Sequence, residues 1–258
     1  MKILRNKYLI FFLGFLLIIG LWFLVSALVG LSPAIFPSPV ETFKVMFELL
    51  GTKTTYKYLG FSILRLIIGF GSSLILAFLI GMLVNHNETL YKFFTPLMTF
   101  LKAAPTATFV FLFLVIVGGR EAPIFVVILM TFPILYESVV SGVKSTDQNV
   151  LEAAKVDGSS KFKTLFLIQL PLGIPYITLG IVSTFGMAFK VEIMAEVIAG
   201  ITKGGIGTMI STSRLLNASD LTPMFAYSLM AIILVMIVSL VTSIIKNKVS
   251  SISKKQAV

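Results

Sequence analysis

Four ionisable residues lie in two of the apolar stretches of the sequence, where they could recognise a charged solute. They are Arg65, Lys190, Glu192 and Glu196. A charge at membrane depth costs about 3 kcal/mol on insertion scales, so such side chains face protein or water. If Arg65 and Lys190 line a solute pathway, they favour an anion. Alternatively, the cations snorkel or form ion pairs, and the two glutamates, which share one helix face, neutralise them.

Catalytic chemistry has little support in this sequence. The chain has no cysteine and one histidine, so it offers neither a thiolate metal site nor a cysteine nucleophile. It also lacks the Gly-x-x-x-x-Gly-Lys-Ser/Thr loop that cradles the phosphates of ATP. We expect no catalytic residue, no metal site and no cofactor held by this chain.

A segment rich in helix start and stop signals spans about residues 144–171. Residues 145–148 read Ser-Thr-Asp-Gln, which has the form of a capping box and predicts the start of a helix. Residues 149–157 contain good helix formers, and Gly158 can end the helix in the left-handed conformation. Ser159 or Ser160 is predicted to cap a second short helix, and Leu170-Pro171 to end it.

The spacing within this segment resembles the cytoplasmic loop of bacterial ABC importer permeases. In that family a partner ATPase grips the membrane protein at this loop, so the resemblance implies a coupling role for this segment. Ala153 and Ala154 are small, which lets another protein surface come close. The residues that carry the resemblance are Glu152, Ala153, Ala154, Gly158, Ile168, Leu170 and Pro171.

Three further segments are similar to permeases of the nitrate, sulfonate and taurine group. They are Phe36-Pro37-Ser38-Pro39, Ala104-Pro105-Thr106 with Gly118-Gly119, and 186–207 with its Gly205-Ile206-Gly207. The chain departs from the group at Phe189, where tryptophan is usual, and at Ile206, where leucine is usual. The resemblance implies a small anion such as nitrate, a sulfonate or taurine as cargo. If Glu192 and Glu196 neutralise the two cations, a neutral vitamin precursor is the alternative cargo.

Composition independently indicates a membrane protein. The chain is 57% hydrophobic and 12% charged, with mean hydropathy +1.01, whereas soluble domains are about 25% charged. Together with this composition, the resemblance implies a single all-α permease domain over residues 1–258, with the fold of a type I ABC importer permease. Six apolar spans of roughly 20 residues each are predicted to cross the bilayer; they cover 8–30, 58–84, 93–117, 122–143, 173–196 and 221–245. Pro96 and Pro105 make the third the least regular.

The distribution of lysine and arginine predicts the orientation. Of the 21 such residues, Arg65 and Lys190 lie in the outer half of spans, thirteen, with Lys102 counted among them, lie on the side of the N-terminus, and six lie on the other side. The positive-inside rule then places both termini, and the 144–171 segment, in the cytoplasm. This distribution also accounts for the net charge of +10 without a nucleic-acid partner.

The partners follow from the resemblance. It implies two ATPase subunits that bind ATP and magnesium, and an extracytoplasmic solute-binding protein. It also implies a second permease chain, because each chain carries one copy of the loop and the importer has two ATPase subunits. The usual arrangement is a homodimer. The expected location is the bacterial plasma membrane, in contact with lipid. A secondary transporter or channel not driven by ATP is the alternative, although it would not need the loop.

Overall fold

The structure is a computed structural model that describes residues 7–28, 32, 34–200 and 204–256. Every regular element in these residues is a helix, which confirms the predicted all-α class. The elements are α1 (Lys7–Leu28), α2 (Pro39–Leu50), α3 (Lys53–His86), α4 (Glu88–Ala103), α5 (Thr106–Val117), α6 (Ala122–Lys144), α7 (Gln148–Val156), α8 (Lys161–Thr164), a π-helical turn (Leu165–Gln169), α9 (Leu170–Ala199), α10 (Ile206–Leu216) and α11 (Thr222–Gln256).

Four helices in the described part of the chain are long and apolar enough to cross a membrane, and a bent pair makes a fifth candidate. The single helices are Lys53–His86, Ala122–Lys144, Lys161–Ala199 and Thr222–Ser250. Helices α4 and α5 form the bent pair, with an angle of 97° between them. The first predicted span falls on α1, whose apolar part Phe12–Leu28 is shorter. The count of six therefore stays a prediction.

The bend of the third predicted span lies at Ala104 and Pro105. Ala104 has an extended backbone (φ −72°, ψ 137°), as expected for a residue before proline. Its N–H still donates to the Phe100 carbonyl, and this bond closes the last turn of α4. The irregularity predicted from Pro105 is confirmed as a break between two helices.

Helix α6 lies at the centre of the bundle, between α3 and α9. Glycines on these helices let the backbones approach closely, as is common between membrane helices. A Cβ atom added to Gly173 of α9 would lie 2.6 Å from the carbonyl oxygen of Gly142 of α6. One added to Gly69 of α3 would lie 2.9 Å from the Cβ of Val127. Substitutions at these glycines would push the three central helices apart.

The predicted capping box at Ser145 is wrong. Ser145 has helical backbone angles (φ −73°, ψ −8°), and both its N–H and its hydroxyl donate to the Gly142 carbonyl at the end of α6. The cap of α7 is Asp147, whose backbone is extended and whose carboxylate accepts from the Asn149 N–H at 2.8 Å. Helix α6 continues through Lys144, which leaves the Ser145 hydroxyl occupied by the preceding helix.

The prediction that Leu170-Pro171 ends a short second helix is also wrong. Residues 161–199 form one continuous helical segment, with a π-helical turn just before the proline. There the Leu170 N–H donates to the Leu165 carbonyl, five residues earlier. Because proline has no N–H to donate, this wider turn accommodates it without stopping the helix.

Candidate functional site

A buried ion pair joins α3 to α9. The Arg65 Nη1 atom lies 2.5 Å from the Glu196 Oε1 atom, and the two residues are only 6% and 0% exposed. In the sequence they are 131 residues apart. Ion pairing between helices was one of the two interpretations of these residues, and the geometry supports it for this pair.

The second carboxylate oxygen of Glu196 binds two further groups. Its Oε2 atom accepts from the Ser62 hydroxyl at 2.8 Å and from the Gly207 N–H at 3.0 Å. The Ser62 hydroxyl in turn accepts from the Ile206 N–H at 2.8 Å. Glu196 therefore holds the start of α10 against α3 and α9.

Arg65 extends the same network to two backbone carbonyls. Its Nη1 atom donates to the Gly204 carbonyl at 2.5 Å, and its Nε atom donates to the Arg120 carbonyl at 3.2 Å. The first carbonyl belongs to the turn before α10 and the second to the turn before α6. We call Ser62, Arg65, Glu196 and residues 204–207 the buried polar cluster.

Glycines let the backbone lie directly on the Glu196 carboxylate. Gly205 has φ +133°, a conformation that side chains rarely adopt, and a Cβ added there would lie 2.1 Å from Glu196 Oε1. A Cβ added at Gly207 would lie 2.6 Å from the Glu196 Cβ. The Gly205-Ile206-Gly207 segment is thus shaped to enclose a carboxylate.

Glu192 lies one turn before Glu196, and it is fully buried. Neither of its carboxyl oxygens has a hydrogen-bond partner within the described residues. The charged groups that act on it are Glu196 and Arg65. A buried polar group without a partner is rare, which marks Glu192 as a residue to test.

Lys190 differs from the other three predicted pathway residues. It is exposed on α9, and it forms no ion pair within the described part of the chain. Arg65, Glu192 and Glu196 all point into the interior of this chain. Of the four, Lys190 is the one whose position is compatible with contact to a solute or a second chain.

An additional polar pair joins the bent span to α6. The Lys102 Nζ atom, near the end of α4, lies 2.5 Å from Glu137 Oε1 on α6. Their side chains are 40% and 48% exposed, so water or a solute can reach them. The sequence alone does not indicate this pair, because no sequence spacing links residues 35 apart.

Helix α7 ends in a Schellman motif at Gly158. The Gly158 N–H donates to the Lys155 carbonyl and the Ser159 N–H donates to the Ala154 carbonyl, each at 3.0 Å. Gly158 has φ +71°, which confirms the predicted left-handed stop. Ser160 then caps the next helix by accepting from the Lys163 N–H.

The segment exposes one side of α7 and buries the other. Ala154 is buried, whereas Glu152, Ala153 and Gly158 are exposed and Val156 is 87% exposed. The second half of the motif lies on the long helix that contains α9: Ile168 and Leu170 are half-buried, and Pro171 is exposed. The motif therefore spans the corner between a short helix and a long one.

Comparison with known proteins identifies the family. Residues 73–251 match the model of the binding-protein-dependent transport system inner membrane component. The chain belongs to this family. The matched range covers all of α4–α10, including α7 and most of the buried polar cluster.

Named relatives refine the group within this permease family. The chain is 23% identical over 209 residues to the taurine transport system permease protein TauC of Escherichia coli, a match that covers 79% of this chain and 75% of the relative. It is 26% identical to the putative aliphatic sulfonates transport permease protein SsuC of Bacillus subtilis, covering 76% and 71%. It is 33% identical to the bicarbonate permease protein CmpB of Synechococcus elongatus, covering 58% and 54%. These relatives support an ABC importer permease of the nitrate, sulfonate and taurine group.

A solved structure supports the fold of the permease. A chain of the inward-facing MetNI methionine ABC transporter matches with a TM-score of 0.60 at 18% identity. The match covers 80% of this chain and 98% of that chain. The solved structure supports the permease fold. The apolar helices, the family match and the permease relatives support a multi-pass protein of the inner membrane.

Proposed function

We propose that this permease forms the solute pathway of an ATP-driven importer and that α7 docks on a partner ATPase. The observation that carries the proposal is the capped, Schellman-closed α7, which exposes Glu152, Ala153 and Val156 on one side. Both ends of α7 are held by specific hydrogen bonds, so a force on it is not lost in loop motion. The exposed side is small and partly apolar, which suits close contact with another protein.

Continuity of the helix after α7 supports transmission of that force. From Lys161 the helical segment runs to Ala199, so it spans about 60 Å at 1.5 Å per residue. Its far end carries Glu196, which is bound to α3 and α10 through the buried polar cluster. Closing of the ATPases would move α7 and, through this helix, the opposite end of the bundle. Switching a two-state pore from 1:99 to 99:1 takes about 5.5 kcal/mol of differential interaction.

The proposed assembly contains more than this chain. Two ATPase subunits bind ATP and magnesium, and a solute-binding protein delivers the cargo on the other side of the membrane. A second copy of the permease completes the pathway as a homodimer. In this arrangement the chain has six spans with both termini in the cytoplasm, and it has no catalytic or cofactor-binding role.

The proposed cargo is a small anion. Relatives named for transport of taurine, aliphatic sulfonates and bicarbonate favour it. Lys190 is the exposed cation of a helix that is otherwise largely apolar. A neutral vitamin precursor is the alternative cargo, since Arg65 is already neutralised by Glu196.

The coupling proposal is tested at Gly158. A Cβ added there meets nothing within 4 Å, so a substitution perturbs only the left-handed backbone. Gly158→Val should lower uptake about tenfold, because the left-handed conformation costs about 1–2 kcal/mol for a residue with a Cβ. ATP hydrolysis by the complex should continue without matching uptake.

Gly158→Asn is the matched control, because asparagine tolerates the left-handed conformation. It should transport nearly as well as the unmodified permease. Normal coupled uptake by Gly158→Val would contradict the docking role of α7. Uptake that persists after ATP depletion would favour the secondary-transporter alternative.

A further inference from the structure

A cleft of about 240 Å³ lies between α7, the end of α3 and the start of the long helix that follows Gly158. His86 and Asn85 line it from α3, Lys155 from α7, and Ser159, Lys161 and Thr164 from the following segment. We call this the basic cleft. It lies behind the side of α7 that we propose for ATPase docking.

The charge of the basic cleft is of one sign. Lys155 and Lys161 both line it, and no aspartate or glutamate does. Neither lysine forms an ion pair within the described residues. Two lysines that line one cleft give it a positive potential, which favours an anion.

Neutral donors complete the lining. The Ser159 hydroxyl makes no hydrogen bond within the described residues, and an imidazole such as that of His86 donates from at least one ring nitrogen. Asn85 is already oriented, because its Nδ2 atom donates to the Gly81 carbonyl at 2.9 Å. Several donors around two cations suit a group with several acceptor oxygens, which a phosphate provides.

The neighbouring surface is apolar. Phe162 is 65% exposed, Leu167 is 71% exposed, and the Phe162 and Phe166 rings lie 4.6 Å apart. An anionic lipid needs both features, a basic pocket for its headgroup and an apolar surface for its chains. Basic pockets between membrane helices on the cytoplasmic side are a known form of headgroup recognition.

We propose that the basic cleft binds a phosphate group and so ties α7 to α3 and to the long helix. The source of the phosphate is either the headgroup of an anionic phospholipid or free phosphate. The headgroup assignment rests on the proposed cytoplasmic placement of α7. A bound phosphate would hold α7 at a defined distance from the membrane helices and would stabilise the arrangement that transmits force.

The test uses the purified full-length permease without its ATPase. Native mass spectrometry measures retention of added phosphatidylglycerol against phosphatidylcholine. Lys155→Gln and Lys161→Gln should each weaken phosphatidylglycerol retention about fivefold, the factor that corresponds to about 1 kcal/mol per cation near an anionic lipid. Lys163→Gln is the matched control, because Lys163 lies two residues away on the same helix and does not line the cleft.

A second arm separates the two sources. Inorganic phosphate at millimolar concentration is added to delipidated permease, and the shift in thermal midpoint is measured. If phosphate raises the thermal midpoint, Lys161→Gln abolishes that rise and the permease shows no preference for phosphatidylglycerol, the cleft binds free phosphate. If the permease prefers phosphatidylglycerol and added phosphate does not displace it, the cleft binds a lipid headgroup. The proposal is overturned if the permease shows neither effect, or if Lys163→Gln weakens binding as much as Lys161→Gln. Because no ATPase is present, either result leaves the coupling proposal to its own test.

Discussion

Replacing Glu196 with glutamine tests whether the buried polar cluster holds the far end of the bundle together. The carboxylate accepts from Arg65 through one oxygen, and from Ser62 and Gly207 through the other. An amide has one acceptor oxygen, so its NH₂ group must face either the Arg65 guanidinium or the Gly207 N–H. Glu196→Gln therefore loses at least one buried hydrogen bond and removes the negative charge of the Arg65–Glu196 ion pair.

The expected loss is large because both partners are buried. Breaking a buried ion pair by neutralising one member costs about 3–5 kcal/mol. For a chain of this size each 1 kcal/mol lowers the unfolding midpoint by about 2–4 °C, so Glu196→Gln should lower it by about 10 °C. The assay is the fraction of detergent-purified permease that survives heating, measured by size-exclusion chromatography.

Glu192 provides the matched comparison, one turn away on the same helix. Its carboxyl oxygens have no partner at hydrogen-bond geometry in the described residues, and the Glu196 carboxylate acts on it as a like charge, so Glu192→Met removes buried polar atoms together with that repulsion. The unfolding midpoint of the Glu192→Met variant should equal or exceed that of the unmodified permease. The reasoning fails if Glu192→Met lowers the midpoint as much as Glu196→Gln, or if Glu196→Gln leaves it unchanged.

Three further predictions concern the cradle, the topology and the cargo. In the same heating assay, Gly205→Ala should lower the unfolding midpoint by several degrees more than Gly200→Ala. An added Cβ at Gly205 would lie 2.1 Å from the Glu196 carboxylate, whereas one at Gly200 meets nothing within 4 Å. Lys155→Cys, in a chain without native cysteine, should resist an impermeant thiol reagent added outside intact cells; labelling there would reverse the proposed orientation. Lys190→Met should reduce uptake of an anionic solute about tenfold in the complete importer if Lys190 contacts the solute; unchanged uptake would remove it from the pathway.

Local signals in the sequence were sufficient to locate the long apolar helices to within several residues and to place the stop at Gly158, but they did not predict α10. The length of an apolar stretch locates a membrane helix, because the thickness of the bilayer determines how many apolar residues are needed to cross it. A glycine after good helix formers permits the left-handed turn at low cost. The same local reasoning failed at Ser145 and at Pro171. Whether Ser145 caps a new helix or closes the old one depends on how far α6 continues, and whether proline stops a helix depends on the register of the preceding turn.

The roles of the charged residues in the spans were beyond local reasoning. The sequence by itself determined that Arg65 and Glu196 must face protein or water, since charge is costly in lipid. Only the tertiary structure decided that they face each other, because their pairing depends on which helices become neighbours. The same holds for Gly205. A side chain is excluded there because the fold places the Glu196 carboxylate, nine residues earlier in the chain, directly against the Gly205 backbone. Spacing along a chain determines which side chains share a helix, and packing between helices determines which of them meet.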